Sequence, residues 1–195
     1  KSRCRFIVED IFGIGDEGFY LFMKLMGQKL QNELYASWFT LELLKKAAIN
    51  NYSLMILGAT EEVNRAATSK IKNDYKVKTV HPGRNGYFTP VEEDKIVKQI
   101  NRFAPDILLV GISTPKKELF AHKHRHHLNV RIIHLCGGMV DVIAGKTKIT
   151  LKWIKKLGFA WLYRIMQEPR RLLIPVISMV WEGIKFALRI LFSKK

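Results

Sequence analysis

A short segment rich in glycine, hydroxyl and lysine residues connects an apolar run to a helical pattern. It reads Gly111-Ile112-Ser113-Thr114-Pro115-Lys116-Lys117-Glu118. At the start of a helix, backbone N–H groups, hydroxyls and an ammonium group bind phosphate oxygens. The spacing matches neither the GxxxxGK[ST] pattern nor the GxGxxG pattern. The segment predicts a phosphate-binding loop; the alternative interpretation is an ordinary turn whose helix is capped by Ser113 or Thr114.

A second segment with paired glycines follows the next apolar run and reads Gly137-Gly138-Met139-Val140-Asp141. Paired glycines let the backbone approach a ligand where a side chain would collide with it. Asp141 has two interpretations, because its carboxylate either orients a sugar hydroxyl or caps a helix. Both glycine-rich segments follow apolar runs of strand length, so we expect them at the carboxyl edge of one sheet, where ligands bind.

Three arginines near the C-terminus form a third candidate site. Arg164 follows Trp161 and Tyr163, and Arg170 and Arg171 come soon after it. Arginine forks match diphosphate oxygens, and clustered positive charge stabilises a departing nucleoside diphosphate without a metal ion. The alternatives are a patch for nucleic acid or lipid and a solvated helix face.

A run of histidines, His122, His124, His126 and His127, offers a possible metal site. His122 and His126 have the i, i+4 spacing of helical metal ligands, but no acidic or cysteine ligand accompanies them. Basic residues alternate with the histidines, so we interpret the run as a solvated basic face. The sequence also contains no Asp-x-Asp and no CxxC pair. We therefore expect no metal ion and no cofactor.

Apolar runs alternate with helical patterns through most of the chain. Such alternation predicts parallel strands that are buried on both faces and covered by helices. The fold class is therefore α/β, with a Rossmann-like parallel sheet. The predicted strands are Phe6–Val8, Leu54–Leu57, Val77–Val80, Ile107–Val110 and Val130–Leu135. The predicted helices are Phe19–Leu30, Phe39–Asn50, Glu61–Asp74, Val91–Phe103, Pro115–His127, Leu151–Gln167 and Leu172–Phe192.

Positive charge is concentrated at the end of the chain. The net charge is +16 on 195 residues, and residues 146–195 hold twelve of the 33 basic residues with only two of the 17 acidic ones. This balance indicates an anionic partner. The uncharged stretch Leu172–Trp181 is half of the about 20 residues that span a bilayer. We predict a basic amphipathic appendage over residues 151–195 that lies on a membrane surface or, alternatively, packs on residues 1–150 or on a second subunit.

Together these residues resemble the WecG/TagA/CpsF glycosyltransferase family, from about Tyr52 to Arg171. The resemblance implies an α/β enzyme that moves an N-acetylmannosamine-type sugar, or its uronic acid, from a UDP-sugar to a polyprenyl-diphosphate-linked acceptor. It also implies inversion, no metal requirement, and a role in cell-envelope polysaccharide or teichoic acid synthesis. The matching motifs are Leu57-Gly58, Gly83-x-x-Gly86-Tyr87-Phe88, Pro105 to Gly111, Pro115-Lys-x-Glu118, Gly137-Gly138-x-x-Asp141-x-x-Ala144-Gly145, Trp161-Leu162-Tyr163-Arg164 and Glu168-Pro169-x-Arg171.

The resemblance also assigns candidate site residues. The family's Asp-Gly-x-Gly segment, which holds its base, corresponds to Phe12-Gly13-Ile14-Gly15, so Asp10 is the candidate base here. Arg164 is the second catalytic candidate, and Lys117 departs from the family's glutamine. The expected substrate-binding residues are Gly58, Gly86, Tyr87, Gly111, Pro115, Lys116, Glu118, Gly137, Gly138, Asp141, Arg170 and Arg171.

The expected partners are the UDP-sugar, the lipid-linked acceptor, an anionic membrane surface and a second copy of the chain. The opening residues lack a signal-peptide pattern, which predicts a cytoplasmic protein, peripheral on the inner face of the cell membrane. The family's opening strands have no counterpart after Lys1, and Phe12 replaces the base. These departures favour a second interpretation, a degenerate or truncated member that binds nucleotide sugar or a partner subunit without turnover. We expect no nucleic-acid partner, because no RNP, KH or helix-turn-helix pattern is present.

Overall fold

A sheet of four parallel strands organises the chain in a computed structural model. The structure describes residues 6–7, 36–148, 154, 160–167, 169, 177, 181 and 185. Two compact units divide the chain, the first formed by residues 1–15 and 30–149 and the second by residues 16–29 and 150–195. The sheet belongs to the first unit.

The strands of this sheet lie in the order β1-β4-β3-β2. All pairings between neighbours are parallel, and β2 pairs with β3 residue for residue from Leu54 opposite Ile107 to Gly58 opposite Gly111. This arrangement confirms the predicted α/β class. The strands are β1 (Phe6–Ile7), β2 (Leu54–Gly58), β3 (Ile107–Gly111) and β4 (Ile132–His134).

Helices connect the strands and cover the sheet. Thr60 caps the helix after β2, because its hydroxyl accepts a hydrogen bond from the Val63 N–H, and Glu61 and Glu62 occupy the positive end of the helix dipole. In chain order the helices are α1 (Ala36–Ile49), α2 (Glu61–Asn73), a 3-10 turn (Pro90–Glu92) that leads into α3 (Glu93–Phe103), α4 (Lys116–His124), α5 (Met139–Ile143) and, in the second unit, α6 (Ala160–Gln167).

Alternate residues of each strand enter two separate apolar cores. On β3, Leu108 and Val110 pack with side chains of α3 and α4 on one face. Ile107 and Leu109 pack with side chains of α1, α2 and α5 on the other face. Both faces of the strand are therefore buried, which explains why the sequence of β3 is uniformly apolar.

The predicted strand Val77–Val80 is wrong. His81 and Arg84 donate backbone hydrogen bonds to carbonyls of β2 at 2.8 and 2.9 Å, and their acceptors are only two residues apart. One residue is therefore extra on this segment, and Pro82 between the two donors has no N–H to give. The segment follows the edge of β2 through two isolated bridges, at Val80 and Arg84, instead of forming a strand.

Two other predicted elements are shorter than expected. Helix α4 ends at His124 instead of His127, because the N–H groups of His127 and Leu128 both turn back to the carbonyl of His124. Strand β4 covers only the middle of Val130–Leu135. The predicted helix Phe19–Leu30 and most of Leu172–Phe192 lie outside the described residues. Of the helices that are described, none is long and apolar enough to cross a membrane.

Candidate active site at the carboxyl edge of the sheet

Three of the predicted site glycines meet where β2 and β3 end. A Cβ atom on Gly58 would overlap the carbonyl group of Gly111, and one on Gly111 would overlap the side chain of Val140. A Cβ on Gly86 would lie 3.0 Å from the Cα of Gly58. The sequence therefore grouped these glycines correctly. In the structure their lack of a side chain lets backbone segments pack against each other, and a contribution to donor binding stays a prediction.

The glycine after β4 is different. Gly137 has a φ of +51°, and a Cβ atom placed on it would meet no atom of the described residues within 4 Å. Its N–H donates to the carbonyl of Val110 at 3.2 Å, which fixes the turn at the end of β3. Gly138 is the N-cap residue of α5. Open space therefore adjoins the backbone at the end of β4, as a ligand cradle requires.

The predicted phosphate-binding segment forms the turn between β3 and α4. Ser113 and Thr114 are exposed, and the peptide bond between Thr114 and Pro115 is cis. Pro115 occupies the N-cap position of α4, so capping by Ser113 or Thr114 is wrong. The Thr114 hydroxyl instead donates to Glu118 Oε1 at 3.0 Å. Phosphate binding by this turn stays a prediction.

Lys116 joins this turn to the segment that follows the edge of β2. Its ammonium group donates a hydrogen bond to the carbonyl of Phe88 and lies 4.1 Å from the centroid of the Phe88 ring. Such cation–π contact adds to the electrostatic attraction. The neighbouring Tyr87 has 75% of its surface exposed. Lys116 therefore already has a structural role at this edge, beside its predicted role in substrate binding.

Lys117 and Glu118 form an ion pair in the first turn of α4, with 3.2 Å between Lys117 Nζ and Glu118 Oε1. Only 14% of the Lys117 side chain is exposed. The other carboxylate oxygen of Glu118 is buried and has no hydrogen-bond partner among the described residues. Polar atoms that are buried without a partner are uncommon in proteins, and they often indicate a ligand.

Asp141 lies inside α5, three residues beyond the N-cap Gly138, so a capping role is wrong. Its side chain is 11% exposed, and Oδ1 lies 3.5 Å from the ammonium nitrogen of Lys146. Its backbone carbonyl accepts from the N–H of Lys146 at 2.9 Å. Contact with a sugar hydroxyl stays a prediction.

A buried histidine at the end of β4 escaped the sequence analysis. His134 is 2% exposed, its Nε2 lies 2.7 Å from the hydroxyl of Thr40 in α1, and the ring of Phe39 packs edge-on against it at 5.1 Å. Its Nδ1 has no hydrogen-bond partner within the described residues. Burial, together with the positive charge of Lys117, lowers the pKa of His134 to about 4. The imidazole is therefore neutral at physiological pH.

Asn64 in α2 was also missed, and it holds the end of β2 in place. Its amide nitrogen lies 2.9 Å from the carbonyl of Gly58, 3.0 Å from that of Arg84 and 3.3 Å from that of Ile56. A Cβ atom on Gly83 would overlap the Asn64 side chain. A single buried amide therefore ties the interrupted segment to β2.

The interpretation of the histidine run as a solvated face is wrong for His124. That residue is 4% exposed, and its Nε2 lies 2.9 Å from Glu93 Oε2 in α3. Lys123 binds the same oxygen at 2.7 Å. Burial alone would raise the pKa of Glu93, but the hydrogen bonds from Lys123 and His124 outweigh it and hold the pKa below its usual value. His124 therefore ties α4 to α3.

Four of the predicted site residues cannot be placed with these side chains. Asp10, Arg170 and Arg171 lie outside the described residues. Arg164 lies in α6, and its side chain is outside the described part of the chain. Their predicted catalytic and binding roles stay predictions.

At the carboxyl edge the structure therefore combines an open glycine turn, a half-buried lysine, a neutral histidine and exposed hydroxyls. The residues that carry these features are Gly137, Lys117, His134, Ser113 and Thr114. Hydrogen-bond donors and positive charge at the start of a helix suit an anionic ligand such as a diphosphate.

Known proteins resemble this chain over most of its length. The model of the glycosyl transferase WecG/TagA/CpsF family matches residues 16–195. A relative from Staphylococcus aureus (strain MRSA252), named N-acetylglucosaminyldiphosphoundecaprenol N-acetyl-beta-D-mannosaminyltransferase, is 32% identical over 132 residues, which are 67% of this chain and 51% of the relative. A relative of the same name from Bacillus subtilis (strain 168) is 28% identical over 170 residues, which are 87% of this chain and 64% of the relative. The chain thus spans about half to two thirds of the length of these relatives.

Proposed function

Because the chain belongs to the WecG/TagA/CpsF glycosyltransferase family, we propose that it transfers a sugar from a nucleotide donor to a polyprenyl-diphosphate-linked acceptor. The sugar is an N-acetylmannosamine-type residue or its uronic acid, the donor is its UDP derivative, and the product enters cell-envelope polysaccharide or teichoic acid. The names of the relatives, which specify an N-acetylmannosaminyl group and a diphosphoundecaprenol acceptor, support this proposal.

The observation that carries the proposal is the carboxyl edge of the sheet. Open sheets of parallel strands bind ligands at this edge, and here it presents Lys117 beside the open turn at Gly137. A nucleoside diphosphate supplies the negative charge that these groups lack. We place the diphosphate at the turn between β3 and α4 and at the glycine turn after β4.

The transfer needs a base and a stabilised leaving group. Asp10 takes the proton from the acceptor hydroxyl, whose oxygen forms a bond to the anomeric carbon as the bond from that carbon to the diphosphate breaks. UDP leaves with the electron pair of that bond. The positive charges of Arg164, Arg170 and Arg171 stabilise it, without a metal ion. Attack from the side opposite to UDP inverts the anomeric configuration.

Residues 1–150 bind the nucleotide sugar in this proposal, and residues 151–195 bring the enzyme to the inner face of the cell membrane. Leu162, Met166, Ile177 and Trp181 are exposed apolar residues of the second unit. Apolar side chains among basic residues suit an anionic membrane surface. Packing of this region on a second copy of the chain is the alternative.

A second candidate function is binding of the nucleotide sugar without turnover. Phe12 stands where the family has its aspartate, and this residue favours the second function. A protein of this kind retains the carboxyl edge described above and loses proton transfer from the acceptor.

The test is release of UDP from UDP-N-acetylmannosamine in the presence of a lipid-diphosphate-N-acetylglucosamine acceptor, with EDTA and no added metal. We expect release that depends on the acceptor and that falls at least about 100-fold in Arg164→Ala. Arg65→Ala is the matched control, because Arg65 is an exposed arginine paired only with Glu61 among the described residues. Saturable binding of the donor without release supports the second function, and neither binding nor release contradicts both.

A further inference from the structure

We propose that His134 binds the diphosphate of the nucleotide sugar through Nδ1, with its ring held in place by Thr40. This inference deepens the function proposed above and rests on it. It assigns a new binding residue to the donor site, at the end of β4.

The first argument is the environment of the two ring nitrogens. Nε2 of His134 lies 2.7 Å from the Thr40 hydroxyl, whereas Nδ1 is buried without a hydrogen-bond partner in the described part of the chain. When Thr40 donates to Nε2, the ring proton is on Nδ1, which is then an unused donor. A buried donor without a partner destabilises the protein, and an oxygen of a bound ligand removes that cost.

The second argument is the rigidity of the ring. The Thr40 contact fixes Nε2, and the edge-on packing of Phe39 at 5.1 Å limits rotation of the imidazole. Both residues come from α1, which covers one face of the sheet. A side chain whose orientation is set before the ligand arrives loses little entropy on binding.

The third argument is the local charge. The positive charge of Lys117 in α4 lowers the pKa of His134 and also that of Cys136, which burial raises to about 12. Lys117 therefore acts on both residues at the end of β4, although it is paired with Glu118. A neutral N–H donor next to a cation suits an anionic oxygen.

The fourth argument is the space beside these groups. Gly137 is three residues beyond His134, and a Cβ atom on it would meet nothing within 4 Å in the described structure. A diphosphate in this open turn has Lys117 on one side and the end of β4 on the other. The phosphate oxygens provide the acceptor that Nδ1 lacks.

Two substitutions at one position separate ligand binding from structure. The side chain of Asn carries its amide at the distance of Nδ1, and the side chain of Gln, which is one methylene longer, carries its amide at the distance of Nε2. His134→Asn therefore keeps a donor for the ligand, and His134→Gln keeps the contact with Thr40. The experiment is calorimetric titration of the full chain and both variants with UDP, without metal, together with their melting temperatures.

We expect His134→Gln to weaken UDP binding about 10- to 100-fold and His134→Asn to weaken it less than about threefold. Equal affinity of all three proteins overturns the inference and leaves the proposed function intact. Loss of affinity in His134→Asn with retention in His134→Gln also overturns it, because the Thr40 contact alone then matters. If the unsubstituted protein does not bind UDP, the proposed function itself is contradicted.

A measurement on the unsubstituted protein avoids any effect of the substitutions on folding. Protein labelled with ¹⁵N at histidine is titrated with UDP, and the Nδ1 resonance of His134 is followed at pH 7. We expect a protonated Nδ1 whose resonance moves on saturation with UDP. An Nδ1 resonance that stays unchanged at saturation overturns the inference.

Discussion

The two edges of the sheet differ in how completely their polar groups are paired. At the amino edge, Ser53, Asp106 and Arg131 each directly precede a strand and bind one another. Asp106 Oδ2 accepts from the N–H and the hydroxyl of Ser53, both at 2.9 Å, and Oδ1 lies 3.2 Å from Arg131. At the carboxyl edge, His134 Nδ1 and Glu118 Oε2 are buried without partners in the described residues.

This difference separates stability from binding. The amino edge holds β2, β3 and β4 in register through a closed set of hydrogen bonds, and it offers nothing to a ligand. The carboxyl edge keeps donors, charge and open space at some cost in stability. Binding groups that are left unsatisfied by the protein itself are a general feature of functional sites.

The largest expected effect comes from two glycines of the carboxyl edge that differ in their surroundings. Gly58→Ala forces a methyl group into the Gly111 carbonyl at a φ of +151°, and we expect it to lower the free energy of unfolding by about 4 kcal/mol. Gly137→Ala places a methyl group in open space at a φ of +51° and lowers it by about 1 kcal/mol. Urea unfolding measures both.

The same pair sharpens the comparison through binding. We expect Gly137→Ala to weaken UDP binding at least about tenfold, because its methyl group occupies space that the diphosphate needs. Equal losses of stability in the two variants would show that both glycines serve packing alone, contrary to the distinction drawn between β2 and β4.

The second effect is a pH dependence of stability that originates at His134. Its pKa is about 4 in the folded protein and about 6.5 in the unfolded chain. Because the unfolded chain binds the proton first, stability is complete above about pH 6.5 and declines as the pH falls to about 4, by about 3 kcal/mol in total. Urea unfolding at pH 7.5 and at pH 4.5 measures the decline. His134→Asn should reduce it, and an identical decline in both proteins would contradict the burial of a neutral imidazole.

The third effect breaks the amino edge. Asp106→Ala leaves the Ser53 donors and Arg131 without their acceptor, and we expect a loss of about 2 kcal/mol in the free energy of unfolding. UDP affinity should not change, because the site lies at the other end of the strands. Asp106→Asn is the matched variant and should lose less, since one oxygen remains. A loss of UDP affinity in the folded Asp106→Ala protein would remove the separation of the two edges.

The smallest effect serves as a reference. Arg65 pairs with Glu61 at 3.2 Å on the surface of α2, and its side chain is 79% exposed. We expect Arg65→Ala to change the free energy of unfolding by less than about 0.5 kcal/mol and to leave UDP binding unchanged. A larger change in either quantity would mean that surface charge on this helix affects the site.

Much of the fold follows from the sequence, because strands buried on both faces leave a clear pattern. The apolar run of β3 and the glycines that end β2 and β3 predicted a parallel sheet and its carboxyl edge. The predicted strand Val77–Val80 failed, because an edge segment interrupted at Pro82 has the composition of a strand without its regular hydrogen bonds.

The site was harder to predict, because its key contacts join distant parts of the chain. His134 and Thr40 are 94 residues apart, and nothing in the sequence near either one reveals the contact. Asn64 was missed for the same reason, since its three acceptors are carbonyls of β2 and of the segment along its edge. A lone polar residue at the end of an apolar strand was the available signal for His134.

The most direct test of the central claim is hydrogen–deuterium exchange of the full chain with and without saturating UDP. Binding at the carboxyl edge predicts slower exchange in residues 111–118 and 134–138, with unchanged exchange at residues 53, 106 and 131. Slower exchange at the amino edge, or no change at the carboxyl edge while UDP is bound, would contradict the account.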